Sequence, residues 1–498
     1  MTSRKCGQSG ETVGVAETDV VIVGAGPTGL VLAIDLARRG VRALLVEKAD
    51  RLFPGSRGKG IQPRSQEVLD DLGALGGILA AGSPYPRMRA WEGAERRGEW
   101  DMMARSEPTE RVPYANVLLI PQSRTQEVLY ARLRELGGDV RFGTALTGFR
   151  QSEDGVEAEL FTGATVRAAY LVAADGGRST VRAALGIGMT GETVDPRPML
   201  VADVRLAPGA IVDRGNWHVW PKAPGGAVAL CPLPGGDQFQ LIATFDDEAA
   251  AVDTAPLAVR ELLADRAPLA ATDVVEVLWA SDFRARAAMA DRFRDGRVFL
   301  AGDAAHVHSP AGGQGLNTGI QDAYNLGWKL DRVLRHGAPT ALLDSYEAER
   351  LPVAADVLGI STRLHRESAT RETTQRGEEV QQLTLGYRDS PLAVETRSGL
   401  AHGALRAGDR APDGPYGDGA RLFDVFRGPH LTLLAVGVPL PPLADGTVRT
   451  ARLAAYEPYG TGLFLIRPDG YVGWAGADAD GLDSYLAALG TTAATVRG

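Results

Sequence analysis

Residues 296–330 combine a carboxylate, a glycine-rich turn and the start of a helix. The apolar run from Val298 to Ala301 predicts a short strand that ends at Gly302 and Asp303, so an acid stands at a strand tip. Three glycines follow, which are Gly312, Gly313 and Gly315. From Leu316 onward, apolar residues recur at three- and four-residue spacing, which predicts a helix. The free N–H groups at its start favour negative charge, and glycine lets backbone approach a flat ring that a Cβ would block.

A second glycine motif lies near the N-terminus, between a predicted buried strand at 19–23 and a predicted helix. Gly24 suits the tight turn of a dinucleotide fingerprint, Gly26 lets a pyrophosphate approach the backbone, and Gly29 permits close packing of helix and strand. Glu47 ends the next predicted strand. An acid there suits the hydroxyls of an adenosine ribose and repels a 2′-phosphate, so the motif predicts a tightly bound dinucleotide other than NADP. By itself, it leaves NAD and FAD equally open.

The block around Asp303 resembles flavin-dependent aromatic hydroxylases of the para-hydroxybenzoate hydroxylase type. The resemblance implies that Asp303 binds the ribityl chain of FAD, and that the glycine turn and helix start lie under the flavin ring. It therefore assigns tightly but non-covalently bound FAD to the N-terminal fingerprint. Asp175 and Gly176 resemble that family's Asp-Gly motif, which serves both FAD and the incoming nicotinamide cofactor. Ser179 is also a good helix N-cap, which is a purely structural role.

Three further positions resemble flavin contacts of the same family. Gln122 begins a predicted helix on the flavin side, Leu146 matches a position whose backbone meets adenine, and Arg57 lies in a loop that approaches the flavin or its pyrophosphate. An exposed surface role for Arg57 stays open, with Arg64 as its rival. The residues expected to bind the cofactor are Gly24, Gly26, Pro27, Thr28, Gly29, Glu47, Lys48, Arg57, Gln122, Leu146, Asp175, Gly176, Gly302, Asp303, Gly315, Leu316 and Asn317.

The motif spacing predicts an α/β protein with a Rossmann-like FAD-binding domain and an antiparallel β-sheet substrate domain, and the resemblance implies a C-terminal thioredoxin-like α/β domain. Segments 18–84, 121–186 and 286–390 must converge on one cofactor and are assigned to the FAD-binding domain. Segments 85–120 and 187–285 are assigned to the substrate-binding sheet. Residues 395–498 resemble a thioredoxin-like domain, but this copy has no cysteine, which excludes a redox role. A structural or oligomer-contact role is the better interpretation.

Composition is typical of a soluble enzyme, and we expect a cytoplasmic monomer or homodimer. The 498 residues carry a net charge of −9, which disfavours nucleic acid and anionic membranes as partners. No apolar run approaches the roughly twenty residues of a membrane span, and the polar segment 1–17 is expected to be a disordered tail. Cys6 and Cys231 form no metal-binding or redox pair. His306 and His308 lack a third ligand, so no metal is expected, and structural roles beside the flavin turn are the better interpretation.

The resemblance implies an FAD-dependent monooxygenase that consumes NADPH or NADH and O2, and that hydroxylates a phenolic, polycyclic or polyketide-like small molecule through a flavin C4a-hydroperoxide. The backbone of Pro310, Gly312 and Gly313 is expected near the reacting edge of the flavin, and no side-chain base is assigned. Epoxidation, Baeyer–Villiger insertion, a flavin reductase or dehydrogenase and a non-catalytic flavoprotein stay open, because the scaffold does not decide the reaction.

Aromatic side chains on the predicted substrate sheet are the candidates for the substrate pocket. They are Trp217, His218, Trp220, Phe239 and Trp91, with Tyr85 and Tyr114 as weaker candidates. An aromatic residue on such a stretch belongs more often to the core of the sheet domain than to a pocket. Trp217 and Trp220 are three residues apart and cannot share a face of a regular strand, so at most one of them is expected to point toward the flavin.

Overall fold

The computed structural model describes residues 16–309, 312–370, 376–443 and 447–491. Its α-helices are α1 (Pro27–Arg38), α2 (Pro63–Asp71), α3 (Leu75–Ala81), α4 (Gln122–Glu135), α5 (Thr180–Ala184), α6 (Pro256–Arg266), α7 (Gly315–Arg335), α8 (Asp344–Thr370), α9 (Leu422–Phe426) and α10 (Leu482–Ala488). The predicted α/β class is confirmed. Within the described ranges, no helix has both the length and the apolar character needed to cross a bilayer.

A six-stranded sheet forms the centre of the N-terminal fold. Its strands are, in spatial order, Arg294–Asp295, Val298–Leu300, Tyr170–Ala173, Val20–Val23, Ala43–Val46 and Val140–Arg141. All neighbours are parallel except the first pair. The central strands are fully buried apolar runs, as expected where helices cover both faces of a parallel sheet. Their carboxyl ends bring the first glycine motif, Asp175 and Gly302 to one edge.

Helices α1 and α7 pack closely against each other beside this sheet. Two glycines of α7 make the close approach possible. A Cβ on Gly319 would overlap the hydroxyl of Thr28, and a Cβ on Gly327 would overlap the carboxylate of Asp35. The helix that follows the first motif is therefore seated on the helix that follows Asp303, and the two predicted cofactor motifs form one packing unit.

An eight-stranded sheet lies beside the N-terminal fold. Its order is His306–Val307, Val274–Ala290, Met189–Leu206, Gln238–Thr244, Val228–Pro232, Asn216–Trp220, Arg87–Glu92 and Glu95–Trp100. The two long strands pair antiparallel along most of their length, and the pair between Asn216–Trp220 and Arg87–Glu92 is parallel. Apolar residues from one face form a core with Val259 and Leu263 of α6. The opposite face turns toward the N-terminal fold.

The C-terminal part contains a mixed five-stranded sheet of Val394–Glu395, Val472–Gly476, Gly462–Ile466, Leu431–Val436 and Val448–Leu453. Its apolar residues form two clusters on either side of the sheet. One of these clusters includes Trp328 of α7, so this part is packed onto the N-terminal fold. Two small sheets add Pro415–Tyr416 with Ala420–Arg421, and Gly60–Ile61 with Leu118–Leu119 and Ser83–Pro84.

Several details differ from the sequence-based boundaries. Ala16–Glu17 is a strand that pairs with Val166 and Arg167, so the expected tail is too long at this end, and residues 1–15 lie outside the described residues. It joins a sheet with Thr165–Ala168, Val156–Leu160 and Leu146–Gln151. Strand Val274–Ala290 runs across the expected boundary at 285, because it pairs with Met189–Leu206 without interruption by a turn.

Candidate cofactor and substrate site

The N-terminal glycine motif has three glycines with different surroundings. Gly24 adopts a φ of +104°, and a Cβ there would overlap the carbonyl oxygen of Ala174. A Cβ on Gly29 would overlap the carbonyl of Gly24. A Cβ on Gly26 would meet no atom within 4 Å. Gly24 and Gly29 are thus required by the fold itself, whereas Gly26 borders open space of the kind that a pyrophosphate at the helix N-terminus would fill.

Pro27 and Thr28 form the first turn of α1, with Pro27 at a position where its missing N–H costs nothing. Glu47 follows the strand Ala43–Val46, and its carboxylate accepts hydrogen bonds from the backbone N–H groups of Ala25 and Ala49, both at 2.9 Å. The acid is therefore held beside the glycine turn, as a ribose-binding acid would be. Lys48 is exposed.

Asp175 helps to cap the helix α5, a role that the sequence predicted for Ser179 alone. Its Oδ2 accepts hydrogen bonds from the N–H groups of Thr180 and Val181, at 2.8 and 3.3 Å. Ser179 caps the same helix by accepting from the N–H of Arg182 at 3.0 Å, as predicted. Oδ1 of Asp175 is buried and has no hydrogen-bond partner in the described part of the chain. An orphaned buried carboxylate oxygen is costly, so it fits a site completed by a bound group.

Asp303 lies in a cleft. Solvent reaches its side chain. The protein atoms around the carboxylate nevertheless reduce its hydration and thereby raise its pKa, while His306 and Arg57 oppose that rise. Gly302 before it adopts a φ of +61°, and the space of its missing Cβ is filled by Thr28. A Cβ on Gly315 would stand 3.9 Å from a carboxylate oxygen of Asp303. The acid and the start of α7 therefore face the same cleft.

The loop at 56–59 closes one side of this cleft. The side chain of Gln122, at the start of α4, accepts from the N–H of Gly58 at 3.3 Å, and a Cβ on Gly58 would lie 3.1 Å from Leu316. Arg57 is exposed, stands over the ring of Phe53 and contributes positive charge to Asp303. These contacts bring Arg57, Gln122, Leu316 and Asp303 together, whereas Leu146 is half-buried at the edge of the neighbouring sheet.

The rival of Arg57 has a different role. Arg64 is buried, forms an ion pair with Glu67 at 2.7 Å and donates to the carbonyl oxygen of Asp469. It is thereby bound to the C-terminal part and faces away from the cleft. Asn317 also serves as a brace, since its side chain accepts from the N–H of Gln62 and donates to the carbonyls of Gly60 and Gly313. Its side chain is therefore fully engaged within the protein.

A buried relay of charged side chains underlies the cleft, and only its two histidines were noticed in the sequence. His308 and His306 are joined through Nε2 and Nδ1 at 2.9 Å, and Nε2 of His306 meets Asp322 at 2.6 Å. Arg350 donates to the other oxygen of Asp322 at 2.7 Å. Burial and the charge of His306 lower the pKa of His308 well below its usual value. Among the described residues, no group of three or more histidine, cysteine, aspartate or glutamate side chains is arranged to hold a metal ion.

The substrate candidates separate onto two faces of the eight-stranded sheet. Trp91, Trp220 and Phe239 pack in the core under α6, so the expectation that they line a pocket beside the flavin is corrected: the alternation of the strands turns them away from it. Trp217 lies on the opposite face, with Tyr85, Met88 and Met102. The predicted exclusion of a shared face for Trp217 and Trp220 is confirmed.

A ladder of polar side chains joins the Trp217 face to the loop at 56–59. Asp203 accepts hydrogen bonds from both the N–H and the hydroxyl of Ser56. Gln240 donates to the Ser56 hydroxyl at 2.6 Å and accepts from the buried ammonium of Lys59. That ammonium stands 4.0 Å from the ring centre of Trp217. The sheet is thus fastened to the loop that carries Arg57.

A cavity of about 290 Å³ opens next to Trp217 and Tyr85. Its walls include Tyr85, Met102, Met103 and Val117, and Gln62 and Arg376 also line it. A Cβ on Gly313 would stand 3.9 Å from Gln62 and 4.0 Å from Arg376, so the cavity adjoins the glycine turn. Gly312 instead faces Ser361 and Leu364 of α8. Pro310 lies outside the described residues. Gln62, Met102, Met103 and Arg376 were missed, because no local motif marks them.

Comparison with known proteins gives consistent matches over most of the chain. A family model described as "FAD binding domain" matches residues 17–361. A flavin-dependent monooxygenase of Mycobacteroides abscessus is 46% identical, over 91% of this chain and 96% of that protein. A 12-dehydrotetracycline 5-monooxygenase/anhydrotetracycline 6-monooxygenase of Streptomyces rimosus is 36% identical, over 95% of this chain and 98% of that protein. The solved structure of aklavinone-11 hydroxylase with FAD and aklavinone has a TM-score of 0.80 at 30% identity, and the match covers 96% of this chain and 99% of that one.

Proposed function

Since this chain belongs to the FAD binding domain family and is a flavin-dependent monooxygenase, we propose that it hydroxylates a planar polycyclic phenol in the cavity beside Trp217. FAD, when bound, supplies the activation of dioxygen after reduction by a nicotinamide cofactor. The protein supplies position, electrostatics and exclusion of water. The relatives named for anhydrotetracycline and aklavinone act on fused-ring phenols, which is the class that we extend to this chain.

One observation carries the proposal: the cavity of about 290 Å³ adjoins, through Gln62 and Arg376, the glycine turn that is predicted to lie under the flavin ring. Its walls of methionine, valine and tyrosine provide flat apolar surface for a fused-ring system, and methionine adapts to irregular shapes. Hydrogen bonds that link Lys59, Gln240, Ser56 and Asp203 join the sheet face of Trp217 to the loop of Arg57. Substrate and cofactor would therefore be held by one rigid junction.

The cofactor-binding roles predicted for individual residues are part of the same proposal. Gly26 would border the pyrophosphate, Glu47 the adenosine ribose, and Asp303 the ribityl chain. Asp175 would offer its unpartnered Oδ1 to a donor of the bound group. The first turn of α7, which is Gly315, Leu316 and Asn317, would direct its N–H groups at the negative charge of the reduced ring. Support comes from the open space at Gly26, the orphaned oxygen of Asp175 and the cleft position of Asp303.

The test is to mix the FAD-loaded protein with NADPH, isotopically labelled dioxygen and a panel of naphthols and hydroxyanthraquinones, and to follow the label by mass spectrometry. We expect one labelled oxygen on an aromatic carbon. A labelled epoxide or ester would replace hydroxylation by the corresponding oxygen insertion. Substrate-stimulated NADPH oxidation that yields only hydrogen peroxide, with every panel member, would contradict the proposed substrate class.

A further inference from the structure

The cavity beside Trp217 has an asymmetric distribution of charge. Its exposed rim carries Asp101, Arg105 and Glu378, and Asp101 and Arg105 neutralise each other in an ion pair at 3.4 Å. The part next to Gly313 carries the guanidinium of the half-buried Arg376. No carboxylate lies within ion-pair distance of Arg376 in the ranges that the structure describes. The only opposing group among them is the hydroxyl of Tyr85, which burial keeps neutral by raising its pKa.

A second cation lies near this cavity without lining it, next to Trp217, whose ring is 6.2 Å from that of Tyr85. Lys59 is buried, its ammonium stands over the ring of Trp217, and it donates to Gln240. The nearby carboxylate of Asp203 is occupied by the two hydrogen bonds from Ser56 and forms no ion pair with Lys59. Burial lowers the pKa of Lys59, and the charge of Arg376 lowers it further. The two cations therefore repel each other, although the charge of Asp203 opposes this effect at Lys59.

The guanidinium of Arg376 is half-buried, and a charge that is partly removed from water is stabilised by a partner of opposite sign. An anionic oxygen in the cavity would supply that partner and would form a short, charge-assisted hydrogen bond with the guanidinium. The two carboxylates of the rim do not supply it, because Asp101 faces Arg105 and the exposed Glu378 forms no ion pair with Arg376. The charge pattern thus discriminates by the ionisation of the ligand, whereas the apolar walls discriminate by its shape.

We propose that Arg376, supported by Lys59 behind Trp217, makes this cavity selective for ring compounds that carry an acidic oxygen and bind as anions. The acidic oxygen is a carboxylate, an acidic phenol or an enol, and it is held at the end of the cavity nearest the glycine turn. This inference rests on the proposed function, because it assumes that the cavity receives the substrate. It adds a specificity-determining residue that lies about sixty positions beyond the last flavin motif.

The test measures binding to the oxidised, FAD-loaded protein without a reductant, so it does not depend on turnover. The probes are 1-hydroxy-2-naphthoic acid, its neutral carboxamide, and dinitronaphthol, a phenol that is ionised at neutral pH. Binding is followed through the flavin absorbance and tryptophan fluorescence. We expect both anions to bind at least tenfold more tightly than the carboxamide. Tighter binding of only one of them identifies the carboxylate or the phenolate as the recognised oxygen.

Variants locate the preference. Arg376→Gln should remove at least tenfold of the preference for the anions, Arg376→Lys should restore most of it, and Lys59→Met should remove a smaller part. Arg105→Gln, which deletes the neutralised rim cation, should retain the preference. FAD content and thermal unfolding of each variant show that it has folded. Equal binding of acid and carboxamide, an unchanged preference in Arg376→Gln, or failure of the anions to bind at millimolar concentration would overturn the inference. Anion binding without a labelled product would instead overturn the proposed function alone.

Discussion

The three glycines of the N-terminal motif show how differently the same residue type is used. Gly24 and Gly29 lie against backbone carbonyl oxygens that a Cβ would overlap. Such a clash involves rigid backbone and must be relieved by movement of the turn itself. Gly26 has open space instead, so its lack of a side chain has no consequence for the protein alone. The requirement at this position comes from whatever occupies the cleft.

Substitution by alanine should therefore separate cofactor binding from folding. Gly26→Ala should lower FAD affinity at least tenfold and leave the thermal stability of the FAD-free protein unchanged. Gly29→Ala is the matched control, because it should destabilise the FAD-free protein as well. The measurements are titration of apoprotein with FAD, followed by flavin fluorescence, and thermal unfolding of both apoproteins. A Gly26→Ala protein with normal FAD affinity would show that the pyrophosphate does not lie there.

At the scale of elements, the turn between the strands Gly462–Ile466 and Val472–Gly476 is locked onto the N-terminal fold by buried ion pairs. Arg467 of this turn bonds to both oxygens of Glu349 in α8, at 2.6 and 2.9 Å. Glu349 also accepts from Lys329 of α7 at 2.7 Å, and Asp469 accepts from the indole of Trp328 at 3.0 Å. All of these side chains are buried. The charged ones among them therefore need their partners to remain charged.

Removing one partner should be costly. Arg467→Ala leaves the carboxylates of Glu349 and Asp469 buried without their guanidinium, which is expected to lower the free energy of unfolding by about 3–5 kcal/mol. Arg388→Ala provides the control within the same part of the chain, because Arg388 pairs with Asp409 at an exposed site. That change should cost about 0–1 kcal/mol. Urea unfolding of both variants compares the two values, and equal losses would mean that the buried network contributes no more than a surface pair.

At the scale of the whole molecule, buried histidines should make stability depend on pH. Burial lowers the pKa of His308 and of His218 in the folded protein. Between the lowered value and the ordinary value near 6.5, the unfolded chain binds more protons than the folded one. The free energy of unfolding therefore decreases as the pH falls through 6.5. Each such histidine contributes a slope of at most about 1.4 kcal/mol per pH unit.

The change that tests this is His308→Gln, which removes one titrating ring and keeps a polar side chain. Urea unfolding at pH 7, 6 and 5 should show a steeper loss of stability for the natural protein than for the variant. The difference should be absent at pH 7 to 8, where both states of His308 are neutral. Parallel pH profiles for the two proteins would show that His308 is not held neutral by the fold.

How much the sequence predicted depends on whether the relevant residues are contiguous. The cofactor motifs are short and local, and the strand–turn–helix order around Gly24 and Asp303 follows from apolar spacing alone. Strand alternation separated Trp217 from Trp220, but it could not decide which face meets the N-terminal fold, because α6 covers one face through contacts distant in sequence. Arg376 and Lys59 carry no motif, and their relation depends on two domains meeting. The hydrogen bond from Arg64 to the carbonyl oxygen of Asp469 is likewise long-range.

The buried attachment of the C-terminal part has a consequence for biosynthesis. A ribosome releases Trp328, Lys329 and Glu349 more than a hundred residues before Arg467, Asp469 and the carbonyl of Leu489, which accepts from Arg332. Until those partners emerge, the charged side chains and the indole of Trp328 lack the contacts that bury them in the folded protein. The burial of these side chains is therefore completed only when the C-terminal part has been translated. A chain that stops before Arg467 would contain every flavin motif but would leave Glu349 and Trp328 without the partners that Arg467 and Asp469 provide.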